Sequence, residues 1–174
     1  MSKKSPTRFP AEGMSEAYEK LLILTMKEAK LLKEKTGPAL HKLIDVTSEK
    51  FSELGELTEE EAEKISDYLK RDLKEAASYM AETGDGFKKW LALETEIAED
   101  YLIDQLEQAA DQTRIELEKL KANSENAEYH TGELTGPGVL ICDKCGEQLH
   151  FQKTGHIPPC AKCHATHFHR LHCV

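Results

Sequence analysis

Apolar side chains in the first 122 residues recur at intervals of three and four, the spacing of one helix face. Turn residues at Gly37 and Pro38, at Gly55 and along 83–86 divide this pattern into four segments. The predicted apolar faces are, in chain order, Tyr18, Leu21, Leu22, Thr25, Ala29 and Leu32; Leu40, Leu43, Ile44, Thr47, Phe51 and Leu54; Ala62, Ile65, Leu69, Leu73, Ala76 and Met80; and Trp90, Leu91, Ile97, Tyr101, Leu102, Leu106, Ala109, Thr113, Leu117 and Leu120.

Local signals predict where these helices begin. Ser15 is the predicted N-cap of the first helix. Thr58 and Glu61 have the spacing of a capping box, so the third helix is predicted to start there. The fourth helix is predicted from about residue 87 to residue 122, where the helical spacing continues. The predicted fold class is mainly α, with long antiparallel helices in a hairpin, a coiled coil or a bundle, followed by a small β module.

Composition changes sharply near residue 135. Residues 1–134 contain 30 of the 32 acidic residues and 19 of the 23 lysines and arginines, whereas residues 135–174 contain 2 acidic and 4 basic residues. All five cysteines and six of the eight histidines lie in that last segment. We therefore predict four parts, which are a disordered arm over 1–14, an acidic helical domain over 15–122, a linker over 123–138 and a cysteine-rich module over 139–174.

Four cysteines of this module form two Cys-x-x-Cys pairs. Cys142 and Cys145 are separated from Cys160 and Cys163 by 14 residues. Two residues between cysteines let a tight turn direct both sulfurs at one ion, and two such turns supply the tetrahedron of sulfur that suits Zn²⁺. Short alternating segments flank the pairs, as in a zinc ribbon. Because about 40 residues bury too little surface to be stable alone, the zinc is predicted to be structural.

The residues around these pairs leave some choices open. Gly146 follows the first pair and suits the positive φ of such a turn, whereas His164 takes the equivalent place after the second pair. Iron in a rubredoxin-like site is the alternative metal, because tetrahedral sulfur also suits iron. The remaining Cys173 and the tail histidines are expected to lie in a polar, exposed strand and tail, with a weak second metal site as the alternative; these histidines are His164, His167, His169 and His172.

The helical part contains no recognisable catalytic constellation. A di-iron bundle requires Glu-x-x-His pairs, and neither His41 nor His130 has glutamate three residues before it. The sequence also lacks a phosphate-binding loop, a dinucleotide-binding glycine motif and a nucleophile elbow. A zinc ion with four cysteine ligands has no open coordination position. We therefore expect that the protein is not an enzyme.

Charge and hydropathy limit which cellular location and which kinds of partner can be expected. The net charge of -9 argues against a general nucleic-acid-binding surface. No apolar run approaches the roughly 18 residues of a membrane span, and the N-terminus has no apolar signal region, so we expect a cytoplasmic protein without membrane contact. A protein partner is expected, and a homo-oligomer is compatible with the narrow helix stripes. The candidate partner contacts are Asp85, at the tip of an acidic prong, with Lys144, Lys162 and Arg170.

Several segments resemble the bacterial YbeL-like zinc-ribbon-containing proteins, from about residue 15 to 170. The run Tyr129-His130-Thr131-Gly132-Glu133-Leu134 and the following Gly136-Pro137-Gly138-Val139-Leu140-Ile141-Cys142-Asp143-Lys144-Cys145 are similar to the linker and first knuckle of that family. Gly55-Glu56-Leu57-Thr58 and Tyr68-Leu69-Lys70-Arg71-Asp72-Leu73 resemble its helical segments. The resemblance implies that Cys142, Cys145, Cys160 and Cys163 are zinc ligands, although His164 departs from the usual glycine of the second knuckle. It implies an architecture and no reaction.

The expected function is that of a zinc-binding, non-enzymatic interaction or regulatory protein. Transcription factors that join an acidic helical hairpin to a four-cysteine module and act on RNA polymerase are the nearest architectural analogy, so transcription machinery is the first candidate partner. Two alternatives stay open. One is a rubredoxin- or rubrerythrin-like redox protein with iron in the four-cysteine site, and the other is nucleic-acid binding through the ribbon, using its lysines, Arg170 and the histidines.

Overall fold

The computed structural model describes residues 10–31, 37–84, 86, 100–120 and 127–171. Predictions for 1–9, 87–99 and 121–126, for Leu32, Asp85, His172 and Cys173, and for the side chains of Tyr101, Leu117 and Leu120 lie outside this description. The described helices are α1 (Pro10–Ala29), α2 (Gly37–Glu53), α3 (Glu59–Thr83) and α4 (Asp100–Leu120). The described strands are β1 (Tyr129–His130), β2 (Leu134–Thr135), β3 (Gly138–Cys142), β4 (Gln148–Phe151), β5 (Gly155–His156) and β6 (His167–Arg170). A search of the described residues finds no helix with the length and apolarity needed to cross a membrane.

The helices form a bundle in which each of the four contacts the other three. The predicted apolar faces form its core, as the helical period requires. The buried apolar members of these faces, from α1 to α4, are Tyr18, Leu21, Leu22, Ala29, Leu40, Ile44, Phe51, Ala62, Ile65, Leu69, Leu73, Ala76, Met80, Leu102, Leu106 and Ala109. Met26 of α1, which is not on the predicted face, is buried with them. One further member of this core, Leu134, comes from β2 of the C-terminal module. The predicted succession of a helical part and a small β module is therefore confirmed, and the two parts share a core.

Leu54 differs from its prediction, since it is 74% exposed rather than buried. Helix α2 ends at Glu53, and the chain leaves it through a Schellman motif. In this motif the Glu56 amide donates to the Phe51 carbonyl at 3.0 Å, and the Gly55 amide donates to the Ser52 carbonyl at 3.0 Å. Gly55 has the left-handed φ of 71° that the motif requires. Leu54 therefore follows the last helical turn, where the spacing of the apolar face no longer applies.

Helix α1 begins at Pro10, five residues before the predicted N-cap Ser15. Proline is favourable in the first turn of a helix because its φ is already helical and its missing amide hydrogen is not needed there. Alanine and glutamate, which follow at positions 11 and 12, are good helix formers. Residues 10–14 of the predicted arm are thus helical.

Helix α3 begins with the predicted capping box. The Glu61 amide donates to Thr58 Oγ1 at 3.2 Å, and the Thr58 amide donates to Glu61 Oε2 at 2.8 Å. The helix ends at Thr83, and Gly84 follows with a φ of 71° and an amide that donates to the Met80 carbonyl. Both ends of this helix were predictable because they depend on local sequence alone.

Replacing Thr58 with alanine should lower the free energy of unfolding by about 1 kcal/mol, because an amide at the start of α3 loses its acceptor. Chemical denaturation followed by circular dichroism measures this change. Thr58→Ser keeps the accepting hydroxyl and serves as the matched control, for which we expect almost no loss. Equal losses in the two variants would contradict a capping role.

The C-terminal strands form two antiparallel sheets. The larger has the order β1-β6-β3-β4, and the smaller pairs β2 with β5. Strand β6 lies between β1 and β3, with Phe168 opposite both Tyr129 and Cys142. The segments β1 and β2 fall within the stretch that the sequence predicts as a linker over 123–138. Two residues are too few to show an alternating pattern, so these short strands have no signal in the sequence.

Candidate metal centre and its junction with the helices

The two Cys-x-x-Cys turns bring their four sulfurs together. Cys142 ends β3 and Cys145 lies in the turn that follows, while Cys160 and Cys163 lie in the turn that precedes β6. The four Sγ atoms lie within 4.8 Å of one another. The Sγ–Sγ distance is 3.5 Å both between Cys142 and Cys163 and between Cys145 and Cys160. The four cysteines predicted to be ligands therefore meet at one point, and none of them is in a disulfide.

The two turns have the same backbone geometry. The Gly146 amide donates to the Cys142 carbonyl at 2.9 Å, and the His164 amide donates to the Cys160 carbonyl at 2.9 Å. Both residues that close a turn have positive φ, 74° for Gly146 and 55° for His164. His164 is the single non-glycine residue with positive φ among the described residues. The second turn forms even though a residue with a side chain at this positive φ costs about 1–2 kcal/mol of conformational free energy.

The spacing of the sulfurs fits a tetrahedral zinc ion. Zinc–sulfur bonds of about 2.3 Å in a regular tetrahedron place the sulfurs about 3.8 Å apart. Two Sγ–Sγ distances of 3.5 Å lie just below that value, and all four sulfurs lie within 4.8 Å of one another. Thiolate is also the preferred donor for zinc in closed structural sites. These residues therefore fit the metal that their sequence pattern predicts.

The protonation of the sulfurs points to the same conclusion. The amide of Cys163, with help from that of Lys162, holds the pKa of Cys160 at about 7. The amide of Glu147 donates to Cys145, but desolvation and the crowding of the other three sulfurs raise the pKa of Cys145 to about 12. Four adjacent thiols thus do not all ionise unless a cation compensates the charge of the thiolates. A metal ion that binds there provides this charge and displaces the thiol protons.

Arg170, on β6, has a fully buried side chain held by groups of the ribbon. Its Nη2 donates to Thr135 Oγ1 at 2.8 Å, and its Nη1 donates to the Pro137 carbonyl at 3.0 Å. Its Nε donates to the Tyr129 hydroxyl at 3.3 Å. Strand alternation explains this orientation, because Phe168 and Arg170 face inward while His167 and His169, which alternate with them, face outward.

The same guanidinium approaches two buried carboxylates of α3. Arg170 Nη2 lies 3.8 Å from Asp72 Oδ1, and Arg170 Nε lies 3.7 Å from Glu75 Oε2. Asp72 is 1% exposed and Glu75 is 7% exposed. Both acids lie among the apolar positions of α3, three residues apart and so on one side of the helix. A cation from the ribbon therefore reaches two anions in the core of the helical part.

Asp72 is held by three further groups. The Tyr18 hydroxyl donates to its Oδ2 at 2.7 Å, and the Gly136 amide donates to the same oxygen at 2.7 Å. Arg71 donates to Oδ1 through Nε at 3.3 Å and through Nη2 at 3.2 Å. Gly136 fits here because a Cβ at this position would lie 3.1 Å from the Tyr18 hydroxyl oxygen. Hydrogen bonds thus satisfy both oxygens of this buried carboxylate, and the guanidinium of Arg71 compensates its charge.

Tyr129 joins the two arginines to Glu75. Its hydroxyl, which is fully buried with the ring, donates to Glu75 Oε2. The guanidinium carbons of Arg71 and Arg170 lie 3.9 Å and 5.3 Å from the centre of its ring, within the range of cation–π attraction. Arg71 also donates to Glu133 Oε2 at 2.5 Å and to the Leu134 carbonyl at 2.7 Å. We call the contacts among the following residues the junction: Tyr18, Arg71, Asp72, Glu75, Tyr129, Glu133, Leu134, Gly136 and Arg170.

The two tyrosines of the junction make the folded protein less stable at alkaline pH. Burial, and then the charge of Asp72, raises the pKa of Tyr18 well above its ordinary value, and burial raises the pKa of Tyr129 likewise. In the unfolded chain both phenols ionise near pH 10, about their ordinary pKa. Above that pH the unfolded state releases protons that the folded state keeps, so the free energy of unfolding falls as the pH rises.

We expect each tyrosine to reduce the free energy of unfolding by about 1.4 kcal/mol per pH unit above about pH 10, until its pKa in the folded protein is reached. Chemical denaturation at a series of alkaline pH values measures this slope. Tyr18→Phe should make the slope shallower by the share of one tyrosine. A slope that is the same in this variant and in the wild type would contradict the account.

The structure corrects one predicted partner contact. Arg170 was predicted to lie on an interaction surface, and this is wrong because its side chain is fully buried in the junction. Lys144 and Lys162 are exposed, and Lys162 Nζ lies 4.0 Å from Glu147 Oε2. Asp85 lies outside the described residues. Lys144 and Lys162 therefore remain candidate partner contacts, and Arg170 does not.

The histidines of β6 share its outer face, as a regular strand requires. The ring centres of His167 and His130 lie 4.7 Å apart in an edge-to-face arrangement, and His169 Nδ1 lies 2.5 Å from Asp143 Oδ1. Within the described part of the chain, the four cysteines are the sole cluster with three or more metal-ligating atoms close together. The described tail histidines His164, His167 and His169 thus form no cluster of three or more metal ligands, and His172 lies outside the described residues.

The junction is not apparent from the sequence pattern. Six of its nine residues lie in the segments that carry the family resemblance. Arg71 and Asp72 lie in the helical segment, and Tyr129, Glu133, Leu134 and Gly136 lie in or just after the segment before the first knuckle. The structure brings these two segments into contact across about 60 positions of sequence. A further signal was the placement of two acids among the apolar positions of α3, which is unusual for solvated residues.

Comparison with known proteins assigns the chain to a family. Residues 27–172 match a family model that is described as a zinc-ribbon containing domain. That range contains the whole four-cysteine cluster and the residues of the junction except Tyr18. No curated protein and no solved structure matches the chain.

Proposed function

Because the chain belongs to the zinc-ribbon containing domain family, we propose that it binds one structural zinc ion through Cys142, Cys145, Cys160 and Cys163 and acts as a non-enzymatic interaction protein. The observation that supports this proposal is the closed donor set. Four sulfurs satisfy a tetrahedral ion, so no coordination position is left for a substrate or an activated water. When bound, zinc supplies a fixed tetrahedral crosslink between the two turns.

The described residues offer a site for binding partners more readily than for catalysis. The buried acids Asp72 and Glu75 are engaged by arginine and tyrosine groups and are closed to solvent. Carboxylates used in acid–base catalysis need access to a substrate. The four-cysteine cluster is the sole close group of potential metal ligands among the described residues. Both features support a role without a reaction.

The junction supports recognition of a partner by two parts of the protein at once. It holds the ribbon against the helices through buried hydrogen bonds, so the cysteine turns that carry the exposed Lys144 and Lys162 keep a defined position relative to the bundle. Fixed charges on rigid elements favour a specific protein partner, because less conformational entropy is lost on binding. By architectural analogy, transcription machinery is the first candidate partner. Free thiols that bind metal also suit the reducing cytoplasm, where we place the protein.

Nucleic acid is the less favoured partner. A groove of about 540 Å³ between α2 and α3 is lined by six carboxylates and a single lysine, Lys70. The acids are Asp45, Glu49, Glu53, Glu59, Glu63 and Asp67. Such a surface repels phosphates. Binding of single strands by the intact protein, with a steep decrease in affinity as salt increases, would support the nucleic-acid alternative instead.

A nuclease-treated, cross-linked pull-down from the native host tests the interaction proposal. The bait is the intact chain, and the controls are Cys160→Ser, which breaks the metal site, and the double variant Lys144→Glu and Lys162→Glu, which keeps it. We expect a specific assembly such as RNA polymerase with the intact chain and its loss with Cys160→Ser. Recovery of the protein itself and nothing else would contradict the proposal and favour self-association.

A further inference from the structure

The ribbon and the helices are connected through one strand that serves both. Strand β6 begins just after the second cysteine turn, where the Cys160 amide donates to the Ala165 carbonyl at 3.0 Å. Its inward side chains are Phe168, which packs in the ribbon core with the cysteines, and Arg170, which enters the junction. The position of Arg170 therefore depends on the fold of the cysteine turns.

Apart from the metal site and the junction, few contacts stabilise the fold of the ribbon. Its core comprises six buried residues, of which two are metal-site cysteines, namely Tyr129, Leu140, Cys142, Ile157, Cys160 and Phe168. Its described strands are two to five residues long. Small sheets of this kind need a further constraint to be stable in water. In zinc modules the energy of metal binding supplies that constraint.

The helices, in turn, receive several buried contacts from the ribbon. The Gly136 amide donates to Asp72, the Tyr129 hydroxyl donates to Glu75, and Leu134 completes the helical core. The small sheet of β2 and β5 contacts both α3 and α1. All of these contacts come from segments that the ribbon sheets order, so they form or are lost together.

We propose that metal occupancy of the four-cysteine site controls the conformation of α1 and α3 through the junction. With metal bound, β1 and β6 hold Tyr129 and Arg170 against Glu75 and Asp72. Without metal, the ribbon loses its order, these side chains withdraw, and water reaches the junction face of α1 and α3. The metal centre is thus a control element for the helical part. This inference rests on the metal site of the proposed function but not on any partner.

Hydrogen–deuterium exchange of the full chain, followed by mass spectrometry, tests this coupling. The zinc-loaded protein is compared with the same sample after removal of zinc by a chelator under reducing conditions, and again after zinc is restored. Peptides within 127–171 report on the ribbon, and those within 68–80 and 14–22 report on the junction face. Peptides within 43–53, on α2 away from the junction, serve as the internal reference.

We expect removal of zinc to accelerate exchange about tenfold or more both in the ribbon and at the junction face, with a smaller change in the reference peptides and full reversal by zinc. Faster exchange confined to the ribbon would overturn the coupling while leaving the metal site intact. Unchanged exchange in the ribbon itself would overturn the structural role of the metal, and with it this inference.

Two variants separate the junction from the metal. Arg170→Met should still bind one zinc per chain, and hydrogen exchange in its cysteine turns should stay as slow as in the wild type. Exchange in peptides within 68–80 should nevertheless be faster. His167→Ala changes the outer face of the same strand and should leave both regions as in the wild type. If Arg170→Met fails to fold, Tyr129→Phe removes a single hydroxyl of the junction and should show the same selective effect. Wild-type exchange within 68–80 in a folded, zinc-loaded junction variant would refute the proposal.

Discussion

Cys160→Ser is expected to abolish tight zinc binding and to unfold the ribbon. Structural zinc contributes an apparent 10–16 kcal/mol, roughly, to the folding of small zinc peptides. The ribbon core is small and includes Cys160 itself, which is fully buried. A serine hydroxyl is a poor replacement for a thiolate ligand, and the remaining three sulfurs do not complete the tetrahedron. The loss therefore exceeds what the short strands can supply by their own pairing.

Native mass spectrometry gives the zinc stoichiometry of this variant, and nuclear magnetic resonance of the β6 amides reports the ribbon fold. We expect no bound zinc after dialysis against a mild chelator and the loss of dispersed β6 resonances. Cys173→Ser is the matched control, since it also removes one thiol but keeps the four-sulfur cluster. A Cys160→Ser protein that retained one zinc with wild-type affinity would show that the cluster is not the site.

Arg170→Met is expected to destabilise the helical part of the zinc-loaded protein, whose cysteine turns keep their fold, by about 3–5 kcal/mol, the range for removing one partner of a buried ion pair. The arginine is fully buried and lies 3.7–3.8 Å from two carboxylates that are themselves almost fully buried. Methionine is of similar length but brings no charge and no hydrogen bond. The variant also leaves the Thr135 hydroxyl and the Pro137 carbonyl without the groups that donate to them.

Urea denaturation of the zinc-loaded protein measures this effect, with His167→Ala as the control on the same strand. The exposed His167 should change the free energy of unfolding by no more than about 0.5 kcal/mol. Combining Arg170→Met with Glu75→Gln should cost less than the sum of the two single changes, because the double variant removes both charges. Additive losses would indicate that Arg170 and Glu75 do not interact.

The features that the sequence predicted correctly are those with a local physical cause. The helix faces follow from the spacing of apolar residues, the start of α3 follows from Thr58 and Glu61, and the meeting of the cysteines follows from two tight turns. Even the positive φ of Gly146 was predictable from its place after a cysteine pair. In each of these cases the signal lies within a few neighbouring residues, and the two cysteine turns, 14 residues apart, carry the same signal twice.

The features that the sequence did not predict arise from contacts between distant segments. Tyr129 and Glu75 are 54 positions apart, and Arg170 and Tyr129 are 41 positions apart. A charged residue in a polar strand is predicted to be exposed unless its buried counter-charge is known. This is why Arg170 was wrongly predicted to lie on the surface. The strands β1 and β2 are stabilised by their partners β6 and β5 rather than by their own sequence pattern. The absence of a catalytic role, the partner and the cytoplasmic location stay predictions.

X-ray absorption at the zinc edge, together with metal analysis of the protein purified from its native host, identifies the ion and the ligand atoms of the four-cysteine site. We expect one zinc per chain with four sulfur neighbours at about 2.3 Å and no nitrogen or oxygen in the first coordination sphere. A coloured protein with iron in the site would contradict the account and favour the redox alternative. Zinc with a bound water or a histidine nitrogen would also contradict it, because the site would then be open or differently composed.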